Sequence, residues 1–293
     1  LALIFVLFSC SPLADLEKLN QEYATTKMVG QMYSSLTDAI VYDIFSPPAA
    51  SRVYAYVALA TYESVQGFDN DLIELSGNLN DSQKKEFQRP KSYFTPLIAL
   101  TAWNKVAKHL VFSEEKIDVY YQLKIKEFRK LNISQSVWEA SESYGNQIGD
   151  YVIDYSKTDG YAETRTKKYK VRNEPGDWLP TPPDYMDAIE PNWNQLRAFI
   201  IDSATQFIPV RPTAFNTQQE SLFYKELKEI YTIGNQLNDE QVEIAKFWDC
   251  NPFVTLHQGH YMQGTKKITP GGHWVGIAGI AAVTGESDFY ATI

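Results

Sequence analysis

Apolar residues in this chain recur at three- and four-residue spacing over most of its length, and that period lapses for one long stretch, from Thr158 to about Thr217. A sequence with this pattern must bury helix faces against one another and must also find a place for a long irregular segment. Val29, Met32, Tyr33, Leu36, Ile40 and Ile44 fall on one stripe and predict a long first helix. Ser46 followed by Pro47 and Pro48 supplies an N-cap and a preset φ for a second, with a small face of Val53, Tyr56, Val57 and Ala60 that ends near Gly67. Thr95-Pro96 opens a third, carrying Ile98, Ala102, Val106, His109 and Leu110, and Ser113-Glu114-Glu115 caps a fourth. The cleanest stripe is Val137, Ala140, Tyr144, Ile148, Tyr151, Val152 and Tyr155. Helix resumes at Gln219 to Ile233. Another starts at Asn238, where Gln241 completes a capping box, Leu237 is placed to staple onto Val242, and Ile244, Ala245 and Trp248 form the core face. Between these elements, residues 70–91 read as a loop with a short helix around Ser82–Gln88, and Arg165–Arg172 reads as one short strand. The expected architecture is all-α, a multi-helix bundle with a long irregular crossover rich in proline and aromatic residues.

Charge narrows the partners. The 27 Lys+Arg against 36 Asp+Glu give a net charge of −9 with no basic block, which argues against a nucleic-acid groove and leaves small molecules or proteins. The opening run Leu1-Ala2-Leu3-Ile4-Phe5-Val6-Leu7-Phe8-Ser9-Cys10 is too short to span a bilayer but suits the apolar core of a signal peptide. With no basic leader before it, the start is expected to lack a few residues. Residues 1–10 are therefore expected to be a lipoprotein signal peptide ending at Cys10, the lipidated residue, which would make the protein exported and held on a membrane by its lipid anchor alone, in the periplasm or at the outer membrane or cell surface. If Cys10 is acylated, Cys250 has no disulfide partner and reads as a small buried hydrophobe.

Three boxes in fixed order carry more specific information: Trp178-Leu179-Pro180-Thr181-Pro182-Pro183, Gln206-Phe207-Ile208-Pro209-Val210-Arg211-Pro212, and Pro270-Gly271-Gly272-His273-Trp274. With Ser46–Tyr56, Tyr62-Glu63, Glu190-Pro191-Asn192-Trp193, and Phe247-Trp248-Asp249 followed by Asn251-Pro252, they resemble the N-terminal half of bacterial vanadium-dependent haloperoxidases, relatives of the type 2 phosphatidic acid phosphatases. The resemblance runs from about Val29 to about Ala282. It implies that residues 11–293 are the N-terminal helical half of such a domain, truncated before its active-site motifs. In that family a vanadate or phosphate is gripped by a Lys and two Arg, with one His on the metal and another as acid/base, because an oxyanion taken out of water needs several donors aimed at its oxygens. The resemblance implies vanadate as cofactor of the intact protein, with none expected for this span alone. The partners it implies are the missing C-terminal half of the same chain and either halide with peroxide or a phosphate ester. Arg89-Pro90 and Arg211-Pro212 have Ser82 and Ala204 where the family's Lys would stand, and no Ser-Arg follows the last histidine.

No catalytic residue is therefore expected within this span. His273 is the candidate acid/base, since Pro270-Gly271-Gly272-His273 imitates the family's Pro-Ser-Gly-His; Thr269, Trp274 and the upstream Phe247-Trp248-Asp249 instead match an earlier, non-catalytic box and place it at a helix start near a pocket rim. His257 and His260 have the spacing of two zinc ligands on one helix face, without a third ligand at a supporting position. Lys266 and Lys267 could face an anion or remain a solvated pair. His109 reads as surface or core filler. Trp178, Tyr185 and Trp193 either stack on a ligand or, as favoured here, pin the irregular segment to the helices. Arg52 and Glu63 are too far apart for an intrahelical bridge, so each needs another partner. A competing reading is a non-catalytic helical surface lipoprotein that holds a glycan with its Trp and Tyr residues, similar to starch-binding lipoproteins.

Overall fold

A computed structural model describes residues 15–293 except 70, 183, 252–254, 259, 260, 265 and 286, so the expected signal peptide, Cys10 and His260 lie outside the described residues. The chain begins with α1 (Leu16–Tyr23), a short helix not anticipated from periodicity, capped by the Asp15 carboxylate. The first stripe becomes α2 (Thr26–Tyr42), with Thr25 as N-cap. This helix stops short of Ile44, which adopts φ 55 and lies 41% exposed rather than continuing the stripe. α3 (Pro47–Val65) starts as its sequence requires, Ser46 Oγ accepting from the Ala49 N–H and Pro47 occupying the first turn, where no donor is lost.

α4 (Thr95–Leu110), α5 (Glu114–Phe128) and α6 (Gln135–Lys157) complete the bundle. Ser113 stands at the N-cap of α5 but does not cap it with its own side chain. Asp43 at the end of α2 instead anchors the residues that lead into α5, accepting from the Phe112 and Ser113 backbone N–H groups at 2.8 and 3.1 Å and from the Ser113 hydroxyl. α4 is the central helix, packed chiefly on α6 and α3, and its inner residues Leu97, Ile98, Leu100 and Trp103 are fully buried. Close approach to α6 depends on Gly145: a Cβ there would lie 2.6 Å from the Ile98 carbonyl oxygen.

Two local expectations fail for identifiable reasons. Residues 82–90 form no helix and no other regular element. Their backbone groups are taken up by side chains instead: Ser76 Oγ accepts from Lys85 N–H, Tyr151 Oη donates to the Gln83 carbonyl, and Phe87 lies against Tyr144 and Tyr151. The strand expected at Arg165–Arg172 is likewise absent, because α7 (Tyr161–Thr166) occupies its start and the residues after it have no strand to pair with among the described ones.

The crossover follows, broken by a 3-10 turn at Trp193–Gln195. Then come α8 (Leu222–Gly234) and α9 (Asp239–Trp248), the latter with the full Asn238–Gln241 capping box. β1 (Thr255–Gln258) and β2 (Tyr261–Gly264) form a small antiparallel hairpin with His257 opposite Met262. α10 (Pro270–Thr284) packs on α2 and α3, and α11 (Phe289–Thr292) ends the chain against α2. Apart from the hairpin the architecture is all-α. No described helix is long and apolar enough to cross a membrane.

Candidate functional site

The segments singled out in the sequence gather at two places on the bundle. The first is a buried polar knot where the crossover leaves α6. Asp159, only 4% exposed, accepts from Arg52 Nε at 2.6 Å and from Tyr56 Oη at 3.0 Å through one oxygen, and from the Tyr161 N–H at 2.9 Å through the other. Arg52 also donates to the Ser156 carbonyl at 2.9 Å, and its guanidinium lies over the Tyr56 and Tyr161 rings. Burial and then the Asp159 charge push the Tyr56 phenol well above its usual range, so it remains a donor. Arg197, returning from the crossover, donates to Tyr56 Oη and to the Tyr155 and Thr158 oxygens at α6's end. Arg52 thus finds its partner 107 residues away. Glu63 finds one too: Oε1 accepts from the Leu75 and Ser76 N–H groups at 3.0 and 2.9 Å.

Next to this knot, Glu190 of the Glu190-Pro191-Asn192-Trp193 segment is held at φ 46 with a nearly buried carboxylate. That carboxylate accepts from Arg165 at 2.6 Å and from Ser46 Oγ at 3.4 Å, which ties the crossover to the N-terminus of α3. Trp193 sets its ring edge-on to Tyr161, as a pin would. Trp178 and Tyr185 do not reach the bundle core in the same way: they are 48% and 61% exposed. Trp178, Thr181 and Pro182 of the first box line an open concavity of about 580 Å³ together with Met186 and Pro191. The second box is at the surface, Phe207 78% and Val210 94% exposed.

The second gathering place is a cavity of about 440 Å³ at the start of α10. Pro47 of the Ser46 segment, Trp248 to Asn251 of the Phe247 segment, and Pro270, His273 and Trp274 of the third box all line it. His273 sits in the first turn of α10, whose N-cap Thr269 accepts from the Gly272 N–H. Gly272 itself lies so close to Tyr54 that a Cβ would come within 2.6 Å of the phenol oxygen. The Trp248 indole stacks on the imidazole, centroids 5.6 Å apart and planes at 28°, with the Phe247 ring edge-on at 6.0 Å. His273 Nδ1 lies 3.0 Å from Cys250 Sγ. Cys250 is therefore half-buried at the cavity wall beside an imidazole, not the small buried hydrophobe expected. Asp249 of the cavity wall pairs with Lys267 at 2.6 Å, which holds that carboxyl below its usual range. Lys266 turns away, its ammonium 3.7 Å over the Tyr42 ring.

The zinc reading of His257 and His260 depended on a helix, and His257 stands on strand β1 instead. Among the described residues no group of three His, Cys, Asp or Glu is placed to hold a metal. His109, in the last turn of α4, lines a small cavity beside Arg52 and Lys157, and partial burial followed by those cations lowers its proton affinity. An oxyanion fits none of these places. Arg52, Arg165 and Arg172 are each engaged with a carboxylate, Arg197 with phenol and carbonyl oxygens, and the cavity at His273 is lined by no Arg and no Lys.

The segments that carried the resemblance thus sit on helices packed about a central one, on an irregular crossover clamped to their ends, and at a histidine-bearing helix start beside the Phe-Trp-Asp segment. No protein-family model and no curated protein matches the chain. A solved structure described as the first bacterial vanadium-dependent iodoperoxidase is similar to it at 39% sequence identity and a TM-score of 0.82, over 92% of this chain and 64% of that one. The chain belongs to the vanadium-dependent haloperoxidase family and spans a little under two thirds of that relative's length.

Proposed function

We propose that this span is the scaffold and one wall of the pocket of an exported vanadium-dependent haloperoxidase that oxidises halide with hydrogen peroxide, the oxyanion grip being supplied by a further part of the same protein. The observation that carries this reading is the fold shared with a vanadium-dependent iodoperoxidase at 39% identity over 92% of this chain. Vanadate, when bound in the intact protein, would activate peroxide toward halide. The residues described here position helices and exclude water around that site. Iodide is the first halide to test, given what the similar structure is described as doing. Phosphate-ester hydrolysis, the alternative chemistry of such a cradle, has no observation here in its favour, and neither has glycan binding.

The test compares this span with a form extended past Ile293, each titrated with vanadate and assayed for triiodide formation from iodide and peroxide. Vanadate-dependent turnover is expected from the extended form and none from the span alone. Turnover by the span alone, or an extended form indifferent to vanadate, would overturn the proposal.

A further inference from the structure

We propose that Cys250 and His273 form a peroxide-reactive thiol site. A thiol becomes a nucleophile when a base takes its proton, and the two groups stand in the arrangement this requires: Sγ 3.0 Å from Nδ1, at the wall of a cavity of about 440 Å³. The imidazole is fixed on its other face by the stacked Trp248 ring, and its backbone is fixed by the first turn of α10, so the proton acceptor does not have to be found. The surroundings select the reagent. Pro47, Pro270, Trp248 and Trp274 line the cavity with Asn251 and Asp249, and the charge of Asp249 is neutralised by Lys267. A small uncharged oxidant suits such a space better than an anion does.

In the step itself, Nδ1 takes the thiol proton and the sulfur attacks the nearer oxygen of hydrogen peroxide. An S–O bond forms as the O–O bond breaks, and the departing hydroxide takes the proton from the imidazolium and leaves as water. Sulfur is oxidised from thiol to sulfenic acid and peroxide is reduced, so one thiol and one hydrogen peroxide give one sulfenic acid and one water.

The experiment uses the whole chain without vanadate, in a Cys10→Ser background so that a single thiol is present. Sulfenic acid is trapped with dimedone and followed by mass spectrometry during exposure to dilute hydrogen peroxide. The parent is expected to react at least about tenfold faster than N-acetylcysteine at the same pH, and His273→Gln, which keeps a hydrogen-bonding side chain but no base, to lose about tenfold or more of that rate. Circular dichroism checks that the variant is folded. If that variant fails to fold, the comparison of parent with N-acetylcysteine decides alone. A parent no faster than N-acetylcysteine, or a folded His273→Gln as fast as the parent, overturns the assignment. Neither result depends on whether the extended protein binds vanadate.

Discussion

The helices before the crossover and the two that follow it carry the same kind of amphipathic stripe, yet they end in opposite environments. In α2, α3, α4 and α6 the apolar faces meet one another, and Leu36, Ile40, Trp103 and Trp138 are almost wholly hidden. In α8 and α9 no residue is buried: Ile230 and Tyr231 are 71% and 72% exposed, and Phe247 is 68% exposed. Periodicity therefore reports that a face wants covering, without saying what covers it. Contiguous exposed apolar surface of this kind is uncommon on a finished monomer and belongs with interfaces.

Substitutions can test that contrast directly. Trp138→Ala should cost about 3–5 kcal/mol in chemical denaturation, since it empties a closed part of the core, whereas Trp248→Ala should change stability by no more than about 0.5 kcal/mol. Equal costs would show that α9 is as well packed as α6. Asp159→Ala leaves Arg52 buried without its carboxylate and should cost about 3 kcal/mol or more, because an uncompensated buried charge is worse than none. Gly145→Ala forces α4 and α6 apart at the Ile98 carbonyl and should cost about 1–3 kcal/mol, with the effect confined to the bundle.

A smaller effect than those at Trp138, Asp159 and Gly145 is expected at Glu63, and it depends on pH. Burial raises its carboxyl above the usual range, with the two backbone N–H donors offsetting part of the rise. The unfolded chain therefore ionises first as pH rises past about 4.3, so the native state loses stability there and does not recover it at neutral pH. Glu63→Gln keeps an acceptor for the Leu75 and Ser76 N–H groups without the charge. It should be more stable than the parent by up to about 1 kcal/mol at pH 7, the two converging below about pH 4. A variant less stable than the parent at pH 7 would show that the ionised form is the better held one.

Most of the helices could be read from local chemistry, because caps and stripes act over a few residues. Ser46 with its prolines and Asn238 with Gln241 form the termini their sequences specify. What escaped reading is what depends on distant chain. Nothing near Ser113 announces that Asp43 will take its N–H and hydroxyl, and nothing near Lys85 shows that Ser76 will take its N–H in place of a helical carbonyl. Arg52 could be seen to lack an intrahelical partner, but Asp159 could not be picked as the answer from among so many carboxylates. The Cys250–His273 contact spans 23 residues that include a hairpin, and no spacing rule joins a thiol to an imidazole across such a gap. The exposed state of Trp178 and Tyr185 has the same origin, since an aromatic residue in an irregular segment says only that it prefers cover.

The double fastening of the crossover has a consequence for how the molecule would be handled. Downstream of the exposed lysines at 167, 168 and 170, the chain is held to the upstream helices by Arg197 on Tyr155 and Tyr56, by the Phe199 and Ile201 carbonyls on Asn80, and by α10 on α2 and α3. Trypsin nicking at those lysines should therefore yield two pieces that travel as one particle through gel filtration and part only in denaturant. A cut backbone would be invisible to any assay that reads shape alone.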